Sequence, residues 1–103
     1  MIHLVVTMNI KPEAMEAFLA AAGRLRPLVL AEKGCVDYTY IKEIAIGNPR
    51  QEAVDPHRIT LVECWASQAD LDAHLAAPHM KAFAQEVKDY RLGSSLRIGV
   101  EAV

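Results

Sequence analysis

The chain has 103 residues, 52% of them apolar and 23% charged, with a formal net charge of −2. That is enough for one packed core and not two, hence for a single domain over residues 1–103. Lysines and arginines are scattered, which leaves no electrostatic footprint for nucleic acid or anionic membrane, and apolar runs such as Leu28 to Ala31 are far too short to span a bilayer.

The opening MIHLVVTMN carries no basic leader and no small-residue cleavage site, so a cytoplasmic location is expected. Within it, Ile2, Leu4, Val6 and Met8 alternate with His3, Val5, Thr7 and Asn9, the period of a strand. Pro12 suits the first turn of a helix. From Glu13 to about Lys33, Met15, Phe18, Ala22, Leu25 and Val29 form one apolar stripe, with Pro27 expected to kink the helix and Gly34 to end it. Cys35 to Ile46 reads as a long strand, with Val36, Tyr38 and Tyr40 on one face. Gly47 to Pro56 is turn chemistry. His57 to Trp65 returns to strand, with Ile59, Leu61, Glu63 and Trp65 on one face.

Ser67 followed by Asp70 predicts a capped short helix to about Ala76, with Leu71, His74 and Leu75 on one side. Pro78 starts another helix, with Met80, Phe83, Ala84 and Val87 as its buried stripe and Gly93 as its end. Leu96, Ile98, Val100 and Ala102 alternate in a last strand. The order is β-α-β-β-α-β, the ferredoxin-like arrangement of a four-stranded antiparallel sheet with helices on one face. Both faces of the strands carry apolar residues: Val5 opposes Val6, and Val62 opposes Leu61. The second face is therefore expected to be buried against another copy, in a homodimer.

The segment ECWASQADLDAHLAAPHM, Glu63 to Met80, gathers the residues best suited to chemistry. His74 lies on the apolar side of its helix and could act as base or acid, or be a buried histidine with a backbone partner. His79, in the first turn of the next helix, could approach the same space or lie at its rim. Trp65 is either core or the wall of an aromatic site. Glu63, between Leu61 and Trp65, needs a partner or a raised pKa if that face is buried, with Arg97 as the candidate cation. Tyr38, Tyr40 and Tyr90 could offer hydroxyls, and Asn9 could bind a ligand or begin a turn. There is no Gly-rich phosphate loop and no HExxH. His74 and His79 are five residues apart across Pro78, which lacks the one-face spacing of a helical metal pair. Cys35 and Cys64 have no activating neighbours in sequence. No metal, flavin or nicotinamide cofactor is expected.

The run VECWASQADLDAHLAAPHMKAF, Val62 to Phe83, resembles the signature of the antibiotic biosynthesis monooxygenase family: an acid, one residue, tryptophan, a histidine-bearing helix and a Pro-His pair. The resemblance extends to AEKGCVDY, Ala31 to Tyr38, and is nearest to the bacterial quinol monooxygenase branch. It implies a dimeric α+β barrel that oxygenates quinols, phenols or anthrones with O₂ and no cofactor. In that reading His74 is the base, His79 a second proton carrier, and Glu63 orients a histidine or pairs with a cation. Trp65, Tyr38, Phe83 and Asn9 would contact the aromatic substrate. Haem-degrading relatives resemble the chain in fold, but Ala84 stands where their ligating histidine would be. An isomerase of a phosphorylated signalling sugar, using Arg50, Arg58 or Lys81, is the enzymatic alternative. A non-catalytic dimeric small-molecule-binding protein is the other.

Overall fold

Alternation and capping produce the expected element order in a computed structural model describing residues 1–103. Strand β1 (Ile2–Ile10) leads through a 3-10 turn at Pro12–Ala14 into helix α1 (Met15–Leu30). Strands β2 (Cys35–Lys42) and β3 (Arg58–Trp65) follow, then helices α2 (Gln68–Leu75) and α3 (Pro78–Val87), and strand β4 (Arg91–Gly99). The four strands form one antiparallel sheet in the order β2-β3-β1-β4. This is the ferredoxin-like arrangement, with the second helix broken at Pro78.

Register decides which residues meet. Leu4 lies opposite Glu63, Val6 opposite Leu61 and Met8 opposite Ile59, while Tyr38 flanks Glu63 from β2. Directly opposed residues share a face, so this set points one way, toward the helices. There Leu4, Met8, Ile59, Leu61 and Trp65 join Phe18, Leu25 and Val29 of α1, Leu71 of α2 and Phe83 and Val87 of α3 in one core. Arg26 on α1 donates to the Tyr38 carbonyl at 2.7 Å, tying the helix to the edge strand β2.

Several expectations change for local reasons. Val36 does not share a face with Tyr38: the register slips between Cys35 and Asp37, Val36 is the extra residue, and it points outward. β2 stops at Lys42, and Ile44 and Ile46 lie exposed beyond it. α1 continues through Pro27 to Leu30 and does not reach Lys33. α3 ends at Val87, and Gly93 lies within β4 opposite Asn9, beside a second irregularity in register. Leu75 and Ala84 are exposed rather than core.

The helices do not cover the whole sheet. Leu96 and Ile98 pair with Val6 and Leu4, so they belong to the inner face, yet they are 56% and 57% exposed. Val5, on the outer face, is also exposed. No helix is long and apolar enough to cross a membrane.

Candidate active site

Three breaks in regular structure build the site. The first is the turn after α1, where the Glu32 N–H donates to the Val29 carbonyl at 2.9 Å and the chain reverses through Gly34, at φ +79°. That turn aims the Glu32 side chain back under the helices. The second is the start of α2, where Ser67 Oγ accepts the Asp70 N–H at 3.1 Å and donates to the Asp70 carboxylate at 2.9 Å. This cap fixes the roll of a two-turn helix and turns His74 inward, to 1% exposure. The third is the bend at Ala76–Ala77, where Pro78 opens α3 from an extended Ala77 and brings His79 back beside His74.

The two imidazoles converge on one carboxylate oxygen. Glu32 Oε2 lies 2.8 Å from His74 Nδ1 and 2.9 Å from His79 Nε2. On the other side of His74, Nε2 lies 3.8 Å from Glu63 Oε1. That same Glu63 oxygen accepts the Trp65 indole N–H at 3.0 Å. The Trp65 ring lies under the imidazole at a centroid distance of 4.5 Å, and Tyr38 meets it edge-on at 5.7 Å. His74 is thus held by one hydrogen bond at Nδ1 and by two ring contacts, with Nε2 turned toward Glu63.

His74 and Glu63 open onto a cavity of about 160 Å³ between sheet and helices. Val6, Met8 and Leu61 form its floor, and Met80 and Phe83 line it from α3. Its polar groups are Glu63, His74, the Tyr38 and Tyr40 hydroxyls, 3.1 Å apart, and Arg91. A larger hollow of about 510 Å³ between Met15, Tyr40, Lys42 and Pro56 has no acid or imidazole on its walls. Convergent polar groups in an apolar setting make the smaller cavity the candidate site.

Burial sets the electrostatics. It pushes the Glu63 carboxyl above the usual carboxylate range, against the opposing pull of the Trp65 N–H and of His74. Burial and the neighbouring Tyr40 push the Tyr38 phenol far above its ordinary value, and burial raises Tyr40. Both phenols therefore stay protonated and act as hydrogen-bonding groups, not as bases. Burial also raises the Cys35 thiol, with Glu32 and Glu63 adding to the effect, which disfavours a thiolate nucleophile.

The Glu63 shift has a sign that can be measured. Above the ordinary carboxylate value of 4.5 the folded chain holds a proton that the unfolded chain has lost. Stability contributed by this group therefore falls as pH rises from 4.5 through the folded-state value. Urea unfolding of Glu63→Gln, which keeps an acceptor for Trp65, is expected to lose that part of the pH slope. An identical slope in both proteins would mean that Glu63 is not the group responsible.

Of the residues singled out from sequence, Glu63, His74, Tyr38 and Phe83 line the cavity. Trp65 is fully buried behind His74 and is not part of the lining. His79 reaches Glu32 from a groove between α1 and α3 rather than from the cavity. Asn9 is exposed on the outer face of the sheet, away from all of these. Arg97 pairs with Val5 and so also faces outward, where it cannot meet Glu63. Arg91 reaches the cavity instead. Glu32 was not legible as a site residue: it sits in a turn with no periodicity, and only its place within AEKGCVDY marks it. The five-residue spacing of His74 and His79 is uninformative here, because the bend between the helices restores what the spacing loses.

A family model for antibiotic biosynthesis monooxygenase matches residues 1–86. The probable quinol monooxygenase YgiN of Escherichia coli strain K12 is 39% identical over 83 residues, covering 81% of this chain and 79% of that protein. Among solved structures, a conserved protein from Methanosarcina mazei Go1 superposes with a TM-score of 0.82 at 25% identity, over 97% of this chain and 91% of that one. A protein from Nitrosomonas europaea gives 0.85 at 20% identity, over the full length of both chains.

Proposed function

The chain belongs to the antibiotic biosynthesis monooxygenase family, and from that membership we propose that it oxygenates a one-ring quinol or similar electron-rich phenol with O₂ and no cofactor. The observation that carries the reading is the clamped His74 beside an apolar cavity. In the tautomer that gives Nδ1–H to Glu32, the lone pair of His74 lies on Nε2, at the Glu63 side where the cavity lies. Glu32 is then a positioning residue, and His74 is the base.

The chemistry asks little more of the protein. Triplet O₂ reacts slowly with closed-shell molecules, but a quinolate anion is electron-rich enough to give up one electron itself. His74 Nε2 takes the hydroxyl proton, and Arg91 and the Tyr40 hydroxyl face the anion that forms. Electron transfer gives a semiquinone and superoxide, which combine at a ring carbon to a peroxide anion, and His74 returns its proton to make the hydroperoxide. Loss of water from it leaves one oxygen atom on the ring: quinol and O₂ become hydroxyquinone and water.

Size narrows the substrate. A cavity of about 150 Å³ accepts a single benzene ring, close to the volume found here, so a three-ring anthrone must protrude through the open side. Leu96 and Ile98, uncovered beside that side, support a homodimer in which a second copy closes the sheet.

The isomerase alternative loses its named anion-binding groups. Arg58 is paired with Glu43, and neither Arg50 nor Lys81 lines the cavity. A pocket plugged by Trp65, Phe83 and Met80 would have favoured a structural role, and the open volume beside His74 favours catalysis. Anaerobic binding of one-, two- and three-ring quinols, followed by admission of ¹⁸O₂, tests the proposal. The one-ring quinol is expected to bind best and to gain one labelled oxygen atom. Binding without accelerated oxygen uptake would sink the oxygenase reading and leave a binding protein.

A further inference from the structure

We propose that Glu32, His74 and His79 form a three-ligand site for a zinc-class divalent cation, next to the substrate cavity. Three donor atoms from three separate elements meet at one place. Glu32 Oε2 comes from the turn after α1, His74 Nδ1 from the last turn of α2 and His79 Nε2 from the first turn of α3. All three lie within 4.8 Å of one another.

The donor set is the right kind. Two imidazoles and a carboxylate suit zinc, and three protein ligands leave a fourth position for water. Donors about 2.1 Å from a tetrahedral zinc lie about 3.4 Å apart. The present contacts of 2.8 and 2.9 Å need to open by about half an ångström, within reach of a side-chain adjustment. Access exists, since His79 is 27% exposed and lines the groove between α1 and α3, while His74 closes the inner side at 1%. Support behind the ligands exists as well. Glu63, anchored by Trp65, stands 3.8 Å from the far nitrogen of His74, the order carboxylate, histidine, metal, so a small closing shift would let it accept the Nε2–H.

Occupation has a consequence for the neighbouring cavity. A cation on Nδ1 makes Nε2 the protonated nitrogen of His74, facing Glu63, and removes the lone pair that the proposed oxygenation uses. Zinc is then an inhibitor. This consequence rests on the oxygenase reading, whereas cation binding does not.

Competition between the chelator-stripped full chain and a chromophoric zinc chelator tests the site. One zinc per chain is expected, with affinity at least tenfold weaker in Glu32→Gln and in His79→Ala. His3→Ala, which removes the exposed His3–Glu101 pair, is expected to leave binding unchanged. Cobalt in place of zinc is expected to give the visible absorption of a four-coordinate ion, lost in the same two variants. His79 is partly exposed, so its alanine variant is the safeguard if Glu32→Gln fails to fold. Zinc bound equally by wild type and His79→Ala, or not bound at micromolar concentration, overturns the site. Zinc bound as expected without slowing quinol oxidation leaves the site standing and overturns the inhibition.

Discussion

Replacing His74 with alanine is expected to lower kcat for quinol-dependent oxygen uptake by about 10²–10⁴-fold, the usual worth of a positioned general base. That corresponds to about 3–5 kcal/mol of transition-state stabilisation. KM should change much less, because most of the cavity wall is apolar, from the aliphatic floor, Met80 and Phe83, and the imidazole is a small part of it. His74 is also a packing residue, at 1% exposure and stacked on Trp65, so a loss of activity alone could reflect lost structure. Two readouts separate the roles. Added imidazole should fill the space and recover part of the rate in the alanine variant, which a damaged fold would not allow. Glu32→Gln keeps His74 and only loosens its orientation, so its loss should be smaller than that of His74→Ala. Unchanged oxygen uptake in His74→Ala would remove His74 from the mechanism.

How much of this was visible beforehand depends on whether a residue's position follows from a period. Ile59, Leu61, Glu63 and Trp65 fall on one face because β3 is regular, so alternation alone placed the buried acid beside the tryptophan. Ser67 and Asp70 announce their helix start because capping chemistry is local in sequence. Where the backbone slips by one residue, alternation fails. Val36 is thrown outward at a bulge, and the irregularity at Asn9–Ile10 accompanies a strand that already contains Gly93. Arg97, on the last strand, is the candidate cation for Glu63 in the sequence. Parity in the observed register puts it on the other face, and Arg91, at the start of the strand, meets the cavity. Glu32 belongs to neither class. A turn residue has no period and no cap signature, and its role appears only when two helices that break between Ala76 and Pro78 deliver both imidazoles to it. The strand and helix residues that meet at the cavity were thus readable, and Glu32, which joins the two imidazoles, was not.

Gly34→Ala is expected to destabilise the protein by about 2–4 kcal/mol, from three sources in one turn. The residue sits at φ +79°, where a side chain costs about 1–2 kcal/mol. A Cβ added there would lie 2.1 Å from Asp70 Oδ2 and 2.6 Å from Asp70 Cβ. Rotating the carboxylate relieves the first contact but not the second, so α2 itself has to shift. Moving Asp70 then disrupts the Ser67 cap, worth about 1 kcal/mol. For a domain of this size each kcal/mol lowers Tm by about 4–8 °C, so the midpoint should fall by about 8–32 °C in a thermal scan. The turn also pins Glu32 two residues away, and the Gly34 carbonyl accepts the Ala66 N–H at 2.8 Å, so oxygen uptake should drop as well. Asp70→Ala isolates the part due to the carboxylate. Alone it should cost only the Ser67 Oγ–carboxylate bond, since the cap to the Asp70 N–H is kept; combined with Gly34→Ala it should be less damaging than the sum of the two single changes, because the Oδ2 and Cγ contacts are gone and only the Cβ contact remains. If the two changes simply add, the Asp70 carboxylate is not what requires glycine, and the left-handed backbone together with the Asp70 Cβ contact accounts for the loss.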